Sequence, residues 1–582
     1  MPEPRRLGRV RLALLAILLA APLAAQQGGV DEALAKGRTA LARSDGVAAE
    51  IAFKQALSRG ASRDAVAAGM GEALLDQGLL DKAREWLGPA RFAGGDRLRG
   101  LRALAKLEIV QGNLPAAGKA LDKALALAPR NAELWVDVAQ LRYRGGEQLQ
   151  AIDAIDRAIA ADPGNLRAID FRGLIVRDQF GPSEALQWFE RGLKLAPNNG
   201  ILLADYAATL GELGKARQML AVTRKMLELG VETDRAFFLQ GVLAARAGDL
   251  SLARALLNRL GGRLGQTAGG LLLDAVLDLQ DGNGNLAAEK LSRIAEEQPQ
   301  NEEVQLLLAR ALMASGQQAE LIKRFAAAAQ RPEASVYLLT LMGRAHEDLG
   351  QREAAAPYID RAAAVRKGGL DLVFDSPVPT QASDADRIAG QVRQAFRSGN
   401  FAAAAPLAEQ LRQRRVGLGA ASVLLGDVRF AQGRYGEAVS AYGEAARVRF
   451  DDQLLAKLVL SGTRSGKGLP AATMLGGYLQ ARPQSRAAAR IAADYAASVG
   501  DWQRAAALLS HLRRTGGQRD ARLLTDLAFA QLRSGDAAAA EETAKAAFAL
   551  QRSSPIAAQA WALALQARKR DLPLARALAN RS

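Results

Sequence analysis

A ruler of 34 residues runs down this chain. Stepping by 34 from Gly78 lands on Gly112, Gly146, Phe180, Gly214, Gly248, Gly282, Gly316 and Gly350, and the single exception, Phe180, is followed at once by Gly181. Seven residues before each mark, from Gly37 and Gly71 through Ala105, Ala139, Gly173, Ala207, Gly241, Ala275 and Ala309 to Gly343, every residue is Gly or Ala. Five residues after the marks stands Ala in most steps, at Ala49, Ala83, Ala117, Ala151, Ala185, Ala253, Ala287 and Ala355, with Met219 and Leu321 the exceptions. A fixed period of this length means stacked supersecondary units, none of which buries its apolar face alone. The glycine marks a turn that breaks a first helix, and the alanine opens a second. The small residue seven before sits mid-way along the first helix, where it lets the two helices approach. Trp135, Phe53, Phe189, Tyr206 and Phe237 fill the gaps on either side. Prolines at 129, 163, 197 and 299 stop the second helix before the next unit.

The order of these residues resembles the tetratricopeptide repeat (TPR) family. One unit carries the pattern through Trp135, Val138, Ala139, Gly146, Ala151, Ile155, Ala158 and Pro163, the next through Ile169, Gly173, Ala185, Phe189, Gly192 and Pro197. The resemblance implies an all-α fold, an α-solenoid of antiparallel helix pairs wound as a right-handed superhelix, with the first helices lining its concave wall. Ten units fill 30–369, so a first array is expected over 26–369. Between 370 and 384 the ruler breaks at Pro377 and Pro379, which predicts a linker or capping loop. The period resumes at Gly399 and Gly433, runs through Lys467 and Asp501 to Gly535, and keeps its alanines at Ala404, Ala438, Ala472, Ala506 and Ala540. A second array of about five repeats is expected over 385–582, with one capping helix over 555–582.

Residues 1–25 read as a secretory signal peptide: Arg5, Arg6, Arg9 and Arg11, then an apolar run from Leu12 to Ala21, then Pro22-Leu23-Ala24-Ala25. The run is too short for a spanning helix, which needs about 20 apolar residues. Export to the periplasm of a Gram-negative bacterium is the expectation, an uncleaved anchor in the inner membrane the alternative; the mature chain is not expected to span a membrane.

Charge divides the chain more sharply than hydrophobicity does. Residues 385–582 hold 29 Lys and Arg against 15 Asp and Glu, whereas 26–384 hold 44 against 45. On the expected concave wall, first-helix positions 2, 5, 9 and 12 hold Arg99, Arg102, Lys106, Arg167, Arg177, Arg235, Arg310 and Arg344, and in the basic array Arg393, Lys457, Arg464 and Arg522. These are the candidate partner-binding residues, read either as a cationic groove for an acidic peptide or polyanion or as an ordinary solvated face. A second basic set, Arg412, Arg414, Arg415, Arg447, Arg449, Arg482, Arg513 and Arg514, falls near the ends of second helices, where the helix dipole favours cations. The TPR clamp for a C-terminal carboxylate uses Asn at a groove position that is never Asn here, so that activity is not carried over.

No cysteine is present, and the two histidines, His346 and His511, lie far apart. Thiolate nucleophiles, cysteine-ligated metals and His-rich metal sites are therefore excluded. His346, His511, Trp502 and Tyr495 read as packing residues. The stretch from Gly462 to Gly468 looks superficially like a phosphate loop but lacks Ser or Thr after Lys467 and follows no strand. The function expected is a non-catalytic scaffold for protein partners, peptides or helices, in the cell envelope and in a task such as polysaccharide export or outer-membrane assembly. The alternative is recognition of a polyanion (anionic polysaccharide, lipopolysaccharide or membrane headgroups) by the basic array. No cofactor, metal or nucleic acid is expected, and catalysis is the least favoured class.

Overall fold

A computed structural model describes residues 28–43, 45–260, 264–299, 301–331, 334–363, 384–414, 418–466, 468–552 and 554–580. The expected signal peptide, and all but the last residue of the expected linker at 370–384, lie outside the described residues. Among these residues there are 32 α-helices and no strand, and successive helices pack as adjacent pairs, an all-α solenoid.

Each mark of the ruler is a helix end. At Gly112, φ is +78°, and the Asn113 N–H reaches back to the Glu108 carbonyl at 2.8 Å while the Gly112 N–H bonds Ile109. This is the paired 6→1 and 5→2 closure that satisfies the last carbonyls of a helix, and a left-handed residue makes it possible. The pattern slips where the sequence does. Helix Leu166–Phe180 runs to the even step itself, and Gly181 rather than Phe180 takes the turn, with φ +107°. In the second array the turns fall on Gly466 and Gly500, one residue ahead of Lys467 and Asp501.

Helix starts follow a fourth column that the other three do not show. Asn131, Asn165, Asn199, Thr267, Asn301 and Ser335 each accept a bond from the N–H three residues on, at 2.9–3.3 Å. Asp451, Ser485, Asp520 and Ser554 do the same in the second array. These are side-chain N-caps, and each satisfies an otherwise orphaned donor.

The small column works as expected. A Cβ on Gly37, Gly173 or Gly343 would stand 2.6–2.8 Å from Phe53, Phe189 or Ile359, and one on Gly71 or Gly426 would press harder still on Leu87 or Tyr442. Every one of these partners lies 16 residues on, in the second helix of the same unit. The helices close to a distance that only a hydrogen atom tolerates, and a single large side chain fills the space. In a chain with 5% aromatics, close helix approach lets a few large side chains fill an alanine-rich core.

The described chain divides within Leu166–Phe180 into two compact units, one up to Arg172 and one from Gly173. The first is built on Phe53, Met70, Leu74, Leu87 and Leu107. The second contains helices of both arrays, with apolar clusters around Leu291, Leu308, Leu321 and Met342 and around Tyr442, Leu455 and Leu475. Its last segment forms two helices, Pro555–Ala567 and Leu572–Ala579, where one capping helix was expected. No described helix is long and apolar enough to cross a membrane. His346 is buried and stacks on Tyr358 at 5.5 Å, as a packing residue should, whereas His511 is exposed.

Candidate functional site

The candidate cations stand on first helices, and most meet a carboxylate on a neighbouring first helix. In the first unit Arg99 pairs with Glu72 at 2.8 Å, Lys106 with Asp76 at 3.4 Å, and Arg102 with Asp137 at 2.5 Å. Arg167 bonds Asp137 at 3.1 Å and also Glu133, which accepts a further bond from the Asn165 amide at 2.8 Å. Burial pushes Glu133 up, but Asn165 and the Arg167 guanidinium outweigh it and hold the carboxyl below its ordinary 4.5. The network is not sealed: Lys106 is 61% exposed and Arg167 44%.

In the second unit Arg235 pairs with Asp205 at 2.6 Å, and Arg177 reaches the Thr209 hydroxyl at 3.3 Å and Glu212 at 4.0 Å. Arg344 donates to the Leu550 carbonyl at 2.9 Å. Arg464 lies over the rings of Phe430 and Tyr435, 5.0 and 5.6 Å from their centres. Arg522 approaches Asp526 at 3.9 Å, beside Arg490, which bonds both Asp526 and Asp494. Arg310 and Arg393 are half-buried on their helices.

Lys457 was expected on the wall, and the structure buries it. Its Nζ bonds both carboxylate oxygens of Asp427 at 2.7 Å, and the two side chains are 3% and 1% exposed. The Tyr442 hydroxyl donates to the same carboxylate at 2.7 Å. Burial raises the Asp427 pKa above 3.8 against the pull of Lys457 and Tyr442, and burial beside that carboxylate raises Tyr442 as well. All three polar groups are bonded, as buried charges must be.

One spacing links these pairs. Lys106 and Asp76, Arg167 and Asp137, Arg235 and Asp205, and Lys457 and Asp427 are each thirty residues apart. Thirty is one repeat less one helical turn. An acid followed by a base thirty residues later was therefore a readable signal for stacking contacts, and the search for cations alone passed over it.

The second array's carboxylates are largely engaged. Asp451, Asp501, Asp520, Asp536 and Asp571 cap helices, and Glu409, Glu437, Glu444 and Glu541 hold arginines. Arg414, Arg447, Arg504 and Arg514 are exposed. No group of three or more metal-binding side chains occurs among the described residues. An open cleft of about 370 Å³ beside Gly282–Leu286 is lined by no titratable side chain.

The tetratricopeptide repeat family matches residues 102–165 and 390–453. A comparison with curated proteins returns no match. Among solved structures the chain is similar to a chain of the APC/C hetero-tetramer Cut9-Hcn1, at 14% identity over 95% of this chain and 92% of that one, TM-score 0.38. It is similar also to PilW, a type IV pilus biogenesis factor, at 20% identity over 36% and 98%, TM-score 0.30. A third is the human IFIT1 dimer with m7Gppp-AAAA, at 15% identity over 67% and 92%, TM-score 0.37.

Proposed function

From the premise that the chain is a tetratricopeptide-repeat protein, we propose that it is a non-catalytic adaptor whose first-helix wall binds protein partners, after export to the bacterial cell envelope. The observation that carries this reading is the half-open charge network of Arg99, Arg102, Lys106 and Arg167 with Glu72, Asp76, Glu133 and Asp137. Such a wall presents both signs in a fixed pattern and sets which partner docks and in what register, more than how tightly it is held. Arg235, Arg310, Arg344, Arg393, Arg464 and Arg522 are separate candidates within the second unit; Lys457, being buried, is not one. Polysaccharide export and outer-membrane assembly are tasks that need such an adaptor, and the basic N-terminal run before an apolar segment supports export. In living cells, a photo-cross-linker in place of Lys106 should capture a defined protein, while one in place of Lys119, exposed on a second helix, should not. Identical products from both positions, or none from either, refute the wall.

A second reading rests on the exposed Arg414, Arg447, Arg504 and Arg514: the basic array contacts a polyanion. Binding of the mature chain to vesicles containing anionic lipid should then weaken as salt rises and fall further in an Arg447→Ser/Arg514→Ser variant. Binding that ignores both refutes it.

A further inference from the structure

Within the second unit, one edge of the second array returns to the first array through polar contacts between chain segments some 200 to 300 residues apart. The Arg482 guanidinium donates to the Asp178 carbonyl at 2.6 Å, and Arg449 faces the Asp178 carboxylate at 3.4 Å. The Phe450 N–H donates to the Gln179 carbonyl at 3.1 Å, and Ser183 Oγ to the Gln480 carbonyl at 3.0 Å. Further along, Arg344 meets the Leu550 carbonyl and Gln551 donates to the Ile359 carbonyl at 3.4 Å. Arg449, Arg482 and Gln551 each follow the end of a second helix, after Tyr435–Val448, Gly468–Ala481 and Ala537–Leu550.

What this contact lacks is as telling as what it has. The apolar clusters around Leu291 and Met342, around Tyr442, around Leu455 and around Leu524 each keep to one array. Gln179 is fully buried there, yet neither atom of its side-chain amide has a hydrogen-bond partner, and Arg482 Nε is likewise unmatched. A buried amide without a partner opposes closure. The polar attraction is two guanidiniums at Asp178 and a few bonds to carbonyls, beside a close approach of the Gly181 backbone to Ala481, and its charged part is the kind of interaction that salt screens.

We propose that this edge is a releasable, salt-sensitive clasp: Arg449 and Arg482 hold the second array on Asp178, and the clasp opens without unfolding either array. It gives two of the basic residues at second-helix ends a task beyond the helix dipole. It also makes the ends of helices Leu166–Phe180 and Gly468–Ala481 surfaces that are covered when the clasp is shut and bared when it is open.

The chain has no cysteine, so a Ser183→Cys/Gln480→Cys variant of the full chain carries a single reactive pair across the clasp. A short bismaleimide should join the pair readily at low salt. Adding 1 M NaCl, or the changes Arg449→Gln and Arg482→Gln, should slow the joining about fivefold, the size expected for losing an exposed charge contact. Scattering from the unmodified chain should show a larger radius of gyration in salt, with helix content unchanged. Joining and radius that ignore both salt and the arginine changes would overturn the clasp. So would a loss of joining that comes only with loss of helix.

Discussion

Asp137 with Arg167 and Asp427 with Lys457 share one spacing and differ in almost everything else. Both bridge successive first helices thirty residues apart, so stacking alone sets their geometry. The first pair is 19% and 44% exposed; the second is 1% and 3%. The neighbours make the difference. Gly426 leaves room for the Tyr442 ring sixteen residues on, and its phenol reaches Asp427 from the second helix. The first pair lies three residues earlier in its repeat, Asp137 standing two before Ala139 where Asp427 stands one after Gly426, and the residue sixteen on from Ala139 is Ile155, which brings no hydroxyl. The same spacing thus gives an accessible pair in one place and a sealed fastening in another. A buried pair of this kind adds little net stability over an apolar substitute but penalises any register that breaks it.

The largest effect should come from breaking the sealed pair on one side. Lys457→Met leaves a buried carboxylate uncompensated and should cost about 3–5 kcal/mol of local stability. Asp427→Leu/Lys457→Met should recover most of that. Hydrogen exchange over helices 419–431, 435–448 and 452–464 reads both, since loss in a repeat array stays near its site.

Next is Gly426→Ala, whose new methyl meets the Tyr442 ring and pushes the phenol off Asp427. About 1–3 kcal/mol is expected for overpacking. Gly112→Ala meets no atom within 4 Å but is strained at φ +78°, and should cost about 1–2 kcal/mol. If Gly426→Ala is harmless, Tyr442 is not the seal.

The cap Asn131→Ala should cost about 1 kcal/mol and loosen the start of helix Ala132–Arg144. Smallest is Arg167→Met in the open pair, about 0.2–1 kcal/mol and vanishing in 1 M salt. Acid should separate the two sites by sign. Glu133 is held below its ordinary value, so its contribution is present above pH 4.5 and lost as pH falls through the folded value. Asp427 is pushed up by burial, so protonation there favours the folded state as pH falls. A Glu133→Gln chain should lose less protection between pH 6 and pH 3.5 around helix 132–144 than the native chain does.

The repeats were legible because glycine is nearly compulsory where a helix closes through a left-handed residue, and because Gly37 or Gly71 cannot be enlarged against Phe53 or Leu87. Those demands recur every unit and leave columns. The one-residue slips at Gly181, Gly466 and Gly500 were less visible, since an even step lands beside the glycine. The N-cap column from Asn131 to Ser335 mixes Asn, Thr and Ser, and so hides from a search for one residue type. The wall was half legible. Its cations stand out by position, but whether a cation is open, like Lys106, or sealed, like Lys457, depends on a second helix sixteen residues away. Asp178 and Arg482 carry no signal at all: no period connects residues 304 positions apart.

On the proposed function, the open first-helix pairs serve recognition as well as stacking. Exchanging the charges of one simple pair, Glu72→Arg with Arg99→Glu, keeps an ion pair in place while inverting the surface a partner meets. In-cell cross-linking from position 106, read beside hydrogen exchange of the same chain, separates the two roles. Helices 63–76 and 97–110 should stay protected while capture of the partner is lost. Capture of the same protein in the same amount, with protection intact, would contradict it.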